Sequence, residues 1–140
     1  MDAYSWAILT ALIWGFVPIL EKVGLSNIHP ALGVFFRSLG VVIGIFIFGF
    51  FLVKPAQLRT VDIKAVAFLV TGGFLASFLA QMTFYNALKL GDVSKVVPIS
   101  ASYPLITFIL GILIFKEGFS VVKCLGAAAV IIGIWAIKVG

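Results

Sequence analysis

The chain has 140 residues, of which 63% are apolar and 11% charged, against about 45–50% and about 25% in an ordinary soluble domain. It cannot cover its own surface with polar groups, and a soluble enzyme is excluded. The net charge of +5 comes from ten basic residues scattered singly, which give no patch for a phosphate backbone, exclude nucleic acid as a partner and read as loop charges at membrane surfaces.

A helix crossing a hydrocarbon core of about 30 Å needs about 20 apolar residues, and five stretches meet that length. The first is predicted over residues 3–20. It has no Lys or Arg before it and no small-residue cleavage site, so it reads as a retained span. Trp6, Thr10 and Trp14 repeat at four-residue spacing along one face. Gly15 and Pro18 predict a flexible or kinked outer half, a candidate hinge. The span stops at Glu21-Lys22, which places Glu21 at a solvated helix end.

The second span is predicted over 30–53. Pro30 suits a first turn, and Lys54-Pro55 ends the helix. Arg37 is the one charge well inside a span, about seven residues or roughly 10 Å deep. Two readings stand side by side: a site for an anionic substrate group or a carboxylate partner, and a long stem reaching back to the headgroups. His29 reads as a lone solvated imidazole.

The third span, 65–88, carries Ser77, Gln81 and Tyr85 at i, i+4 and i+8, with Asn86 one step round; Gly91 beyond it reads as a left-handed cap. Polar stripes of this kind line substrate cavities, and they also hold helices together. The fourth span, 93–115, begins at the capping residue Asp92 and carries Pro98-Ile99-Ser100-Ala101-Ser102-Tyr103-Pro104. Two prolines six apart each remove a helical hydrogen bond, and Ser100 and Ser102 can re-satisfy freed carbonyls, so a kinked or unwound segment is predicted there with Pro98 and Pro104 as hinge candidates. The fifth span, 120–139, contains Gly126, Ala129 and Gly133, small residues spaced for a close helix–helix seam. Cys124 is the only cysteine, which leaves neither an intrachain disulfide nor a thiolate cluster.

Short connections make neighbouring helices antiparallel. Lys54, Arg59, Lys64, Lys116 and Lys123 then fall on one side, and Lys22, Arg37, Lys89, Lys95 and Lys138 on the other. Five face five, so the rule that basic residues mark the cytoplasmic side gives no orientation. Either context or a partner resolves a weak topology signal, or copies insert both ways and pair as an inverted dimer. No Ser-His-Asp set, paired carboxylates or phosphate-cradling loop is spaced for chemistry, so no catalysis, no cofactor and no metal are expected.

Trp14-Gly15, Phe36-Arg37, Phe84-Tyr85-Asn86-Ala87-Leu88-Lys89, Pro98, Pro104, Lys116-Glu117 and Gly126-Ala127 with Gly133 resemble, in order and spacing, the EamA-type repeat of the drug/metabolite transporter superfamily. The resemblance covers nearly the whole chain and is strongest from Tyr85 to Trp135. It implies an all-α, polytopic membrane bundle of five helices forming one repeat over residues 1–140. It also implies a multi-pass carrier of a small metabolite or drug in the inner (plasma) membrane, working by alternating access. Two such repeats are often fused in one polypeptide, so a single one implies a homodimer or a heterodimer of paralogues. The expected substrate-binding residues are Trp14, Arg37, Ser77, Gln81, Tyr85, Ser100, Ser102 and Tyr103, in contact with membrane lipids outside and a small-molecule substrate within. The alternatives are a non-transporting subunit that stabilises a partner and a subunit of a lipid-headgroup flippase.

Overall fold

A computed structural model describes residues 2–58 and 60–140, apart from the side chains of residues 50, 55 and 57. Arg59, counted above among the basic loop residues, lies outside the described residues. The chain forms two compact units, Met1–Leu90 and Gly91–Gly140. Five helical segments are long and apolar enough to cross a membrane: Ala3–Gly24, Pro30–Gly49, Ile63–Leu90, Val93–Phe115 and Val121–Val139. The architecture is all-α, with no strand among the described residues.

In the N-terminal unit α1 (Ala3–Gly24) opens on Asp2, whose Oδ1 accepts from the Ser5 amide at 2.8 Å and the Ser5 hydroxyl at 2.6 Å. These bonds satisfy a donor that the first helical turn leaves without an intrahelical partner, and they hold the Asp2 carboxyl below the usual carboxylate range. The helix runs unbroken through Gly15 and Pro18 and extends to Gly24, so Glu21 lies in its last turn rather than beyond it. Helix α2 (Pro30–Gly44) starts on His29, whose Nδ1 accepts from the Ala31 amide at 3.2 Å; the imidazole is a cap. It passes into a π-helical segment, Ile45–Gly49, and then into the short α3 (Phe50–Leu52); α4 (Pro55–Leu58) follows. The third span is α5 (Ile63–Phe74), a second π-helical segment Leu75–Ala80, and α6 (Gln81–Leu90).

The buried apolar residues of this unit are Leu25, Val34, Tyr85 and Leu88, gathered where the end of α1, the start of α2 and α6 meet. Gly33 makes the packing possible. A Cβ there would lie 2.6 Å from Leu25 Cδ2 and 2.9 Å from Tyr85 Cε2, so only glycine lets the Tyr85 ring lie against α2. Two lysines tie the same end together. Lys22, in the last turn of α1, donates to the Leu88 carbonyl of α6. Lys89, in the last turn of α6, donates to the Ile28 carbonyl at 2.7 Å. Both ammonium groups sit at helix C-termini, where the macrodipole favours positive charge.

In the C-terminal unit α7 (Val93–Ser100) and α8 (Tyr103–Phe115) are separated at Ala101-Ser102, so the fourth span is broken between its two prolines, as their spacing predicts. Pro98 lies inside α7, and Pro104 sits in the first turn of α8, where it costs no hydrogen bond. Asp92 holds the N-cap position of α7, but its side chain makes no capping bond. Gly91 is not left-handed, which corrects the cap expected there. The left-handed residue among those described is Lys116 (φ 54°), which stops α8. Glu117 then folds back over the buried Gly111, where a Cβ would stand 3.4 Å from the Glu117 carboxyl carbon. Helix α9 (Val121–Val139) packs on α7, while Gly126, Ala129 and Gly133 remain exposed, and a Cβ at either glycine would meet nothing within 4 Å.

Candidate functional site

Glu21 organises the polar interior of the N-terminal unit. Its Oε1 accepts from the Tyr85 hydroxyl at 2.8 Å and from Gln81 Nε2 at 3.0 Å, and lies 3.3 Å from Arg37 Nε. Three spans meet on one oxygen atom. Tyr85 and Gln81 come from α6 at i and i−4, which puts both on the face turned to α1. Arg37 comes from the second turn of α2. The Glu21 side chain is 10% exposed and that of Arg37 33%. The second carboxyl oxygen, Oε2, is buried with no hydrogen-bond partner among the described residues.

A buried carboxylate is costly unless paired and hydrogen-bonded, and the two hydrogen bonds and the Arg37 ion pair on Oε1 meet that requirement for half of the group. Opposite charges held this close cancel at longer range, so the cluster is strongly polar yet neutral as a pair. Beside it lies an open groove of about 510 Å³. Glu21, Arg37 and Tyr85 form its polar end, and Val17, Leu20, Leu25, Ile28, Phe36 and Val41 supply its apolar walls.

The residues expected to bind substrate are distributed as follows. Arg37 and Tyr85 line the groove, and Gln81 joins them through Glu21. Trp14 is exposed on α1, and the wall from that helix is made by Val17, Leu20 and Glu21 instead. Ser77 is exposed within the π-helical segment, whose wider turn moves it off the α-helical register that would place it below Gln81. Asn86 bonds back to the Met82 carbonyl at 2.8 Å. Ser100, Ser102 and Tyr103 belong to the C-terminal unit, at the break in the fourth span. Arg37 does not reach back to the headgroups as a free stem; it meets a carboxylate. That carboxylate is Glu21, the residue sequence reasoning assigned to solvent. The signal was present: Glu21, Val17 and Trp14 fall on one helical face, so extending the apolar stretch by one turn carries Glu21 inside.

No group of three or more His, Cys, Asp or Glu residues that could hold a metal occurs among the described residues. With five membrane-length helices and a half-buried polar cluster inside one unit, the chain is a multi-pass membrane protein. It matches the EamA-like transporter family over residues 1–139 and belongs to that family. It is 30% identical over 135 residues to a protein of Listeria monocytogenes named for sugar uptake, covering 92% of this chain and 44% of that protein. It is also 30% identical over 133 residues to an uncharacterized transporter of Sinorhizobium, covering 91% of this chain and 90% of the relative. An uncharacterized transporter of Archaeoglobus fulgidus is 23% identical over 136 residues, covering 94% of this chain and 46% of that protein. The chain thus spans less than half the length of two of these relatives and nearly all of the third. No solved structure matches it.

Proposed function

We propose that this chain is a carrier subunit for a small polar solute in the inner (plasma) membrane, working by alternating access as an antiparallel dimer. The observation that carries the reading is the Glu21–Arg37–Gln81–Tyr85 cluster at the end of an apolar groove inside a membrane-spanning unit. Polar groups at this depth are expensive to keep and mark substrate pathways in membrane proteins. Membership of a transporter family supports the same reading.

Glu21, Arg37, Gln81 and Tyr85 bind the solute's polar groups, and the apolar walls hold its body. The broken fourth span, with Pro98 and Pro104, and the outer half of α1, with Gly15 and Pro18, are the hinges. Dimerisation is supported by the balanced basic residues and by the exposed Gly126, Ala129 and Gly133 face of α9, which has the small side chains that close helix pairing needs. A relative named for sugar uptake points to an uncharged solute among the candidates.

The test is uptake of a mixture of small metabolites into liposomes containing this chain alone, read by mass spectrometry of the lumen. Accumulation above protein-free liposomes is expected, together with its loss in Glu21→Gln. A folded chain that moves none of the mixture overturns the carrier reading and favours a subunit that serves a partner.

A further inference from the structure

Arg37 lines the groove and is one-third exposed, and a guanidinium at this depth is costly to leave facing hydrocarbon. The groove therefore stands open only while water or solute fills it, and some part of the fold has to cover it otherwise. The first helix carries a part free to do so. From Ala3 to Phe16 every residue but Ser5 is exposed, whereas Val17 is half-buried, Pro18 is buried and Glu21 is tied to α2 and α6. The change falls at Gly15–Pro18. Pro18 has no N–H to give the Trp14 carbonyl four residues back, so the helical ladder lacks a bond at that turn. Trp14 shares the helical face of Val17 and Glu21, which line the groove, yet it is 60% exposed and stands outside the lining. On α2, Gly40 lines the groove and Gly44 follows one turn on, and a Cβ at either would meet nothing within 4 Å. The two helices run antiparallel from the Glu21–Arg37 pair. Trp14 is seven residues from Glu21, and Gly44 is seven from Arg37, so the indole and the glycine lie at one level.

We propose that Trp14 is the lid of the groove: the Ala3–Phe16 arm swings at Pro18 and lays the indole into the notch between Gly40 and Gly44, shutting the end of the groove far from Leu25. This rests on the carrier reading above for its purpose and names the closure of that same site. The two glycines leave the room that a ring of this size needs, and a side chain at either would hold the indole off α2. With the lid down, protein rather than hydrocarbon covers the polar cluster. With it up, as in this structure, the groove admits a solute. A solute in place keeps the indole out of the notch, so occupancy biases the equilibrium between the two positions of the arm. The closure also gives Trp14 a use that its exposed position does not show: it touches α2 only when the groove is shut.

The experiment is a disulfide trap in the full chain, with Trp14→Cys and Gly44→Cys in a Cys124→Ser background, oxidised in native membranes and read by thiol labelling and non-reducing gels. Two cysteines bond only when their Cβ atoms come within about 4.5 Å, so a bond inside one chain records the arm lying on α2. An intrachain bond is expected to accumulate with time of oxidation. Its rate should fall about tenfold when Gly40→Leu fills the notch, the effect of overpacking worth about 1.4 kcal/mol. No bond, bonding only between chains, or a rate indifferent to Gly40→Leu overturns the proposal. If a cysteine or leucine chain fails to fold, the single-tryptophan chain Trp6→Phe/Trp135→Phe decides alone: part of the Trp14 emission must resist quenching by brominated lipid, and complete quenching overturns the lid. An intrachain bond in a chain that takes up no solute from the metabolite mixture leaves the lid standing and removes the carrier reading, whereas uptake without the bond removes the lid alone.

Discussion

Replacing Arg37 alone by Ala would strand Glu21 as an uncompensated charge nine-tenths buried among helices. Breaking a buried pair from one side typically costs about 3–5 kcal/mol, whereas removing both charges together is often nearly neutral. Arg37→Ala should therefore lower the unfolding midpoint in detergent by far more than Glu21→Gln combined with Arg37→Gln, and a double-mutant cycle should return strong positive coupling. Additive losses would show that the pair is not formed. Solute transport should vanish in both variants, which separates the site's role from its contribution to stability. A second residue-scale prediction concerns Gly33. Ala there would push into Leu25 and Tyr85, and overpacking of this kind costs about 1–3 kcal/mol. Gly33→Ala should also move the Tyr85 hydroxyl off Glu21, so Tyr85→Phe on top of it should cost little more in thermal unfolding. Arg37, Gln81 and Tyr85 were legible in the sequence as polar side chains inside apolar stretches. Their meeting point was not, because pairing between α1 and α2 depends on where α1 ends, and a charged residue after an apolar run looks like the end of the run.

Among the helical elements, the break in the fourth span follows directly from proline spacing. The stop of α8 at Phe115 falls where the apolar run ends, as expected, but the backbone conformation that makes it carries no such signal. A glycine stands two residues beyond Lys116, at Gly118, yet Lys116 adopts the left-handed conformation at φ 54° while Glu117 turns back over Gly111. A non-glycine residue in that region carries a cost of about 1–2 kcal/mol. Lys116→Gly should accordingly raise the thermal unfolding midpoint of the purified chain, and Lys116→Val should lower it; the reverse order would mean that the lysine side chain earns its place through another contact. The two π-helical segments, Ile45–Gly49 and Leu75–Ala80, were likewise hidden. Both lie in stretches that are apolar except for Ser77, where periodicity has little contrast, so a wider turn leaves little trace in the pattern.

For the whole molecule, length and composition alone disclosed the five spans, because lipid demands long apolar helices whatever their packing. The same simplicity hides orientation, since equal basic residues on the two sides leave insertion undecided. Paired reporters fused after Gly140, one active only inside the cell and one only outside, should both give signal at matched expression. Signal from one alone would remove the inverted homodimer and require an oppositely oriented partner. Moving lysines to bias insertion is the natural next step, and here the bonds of Lys22 and Lys89 impose an order of events. During synthesis both are hydrated charges that the insertion machinery can read; only after α1, α2 and α6 have met do they donate to Leu88 and Ile28. Each lysine is thus used twice, first as an address and later as a fastener, and a charge edit at either would rewrite the route and loosen the destination in one stroke.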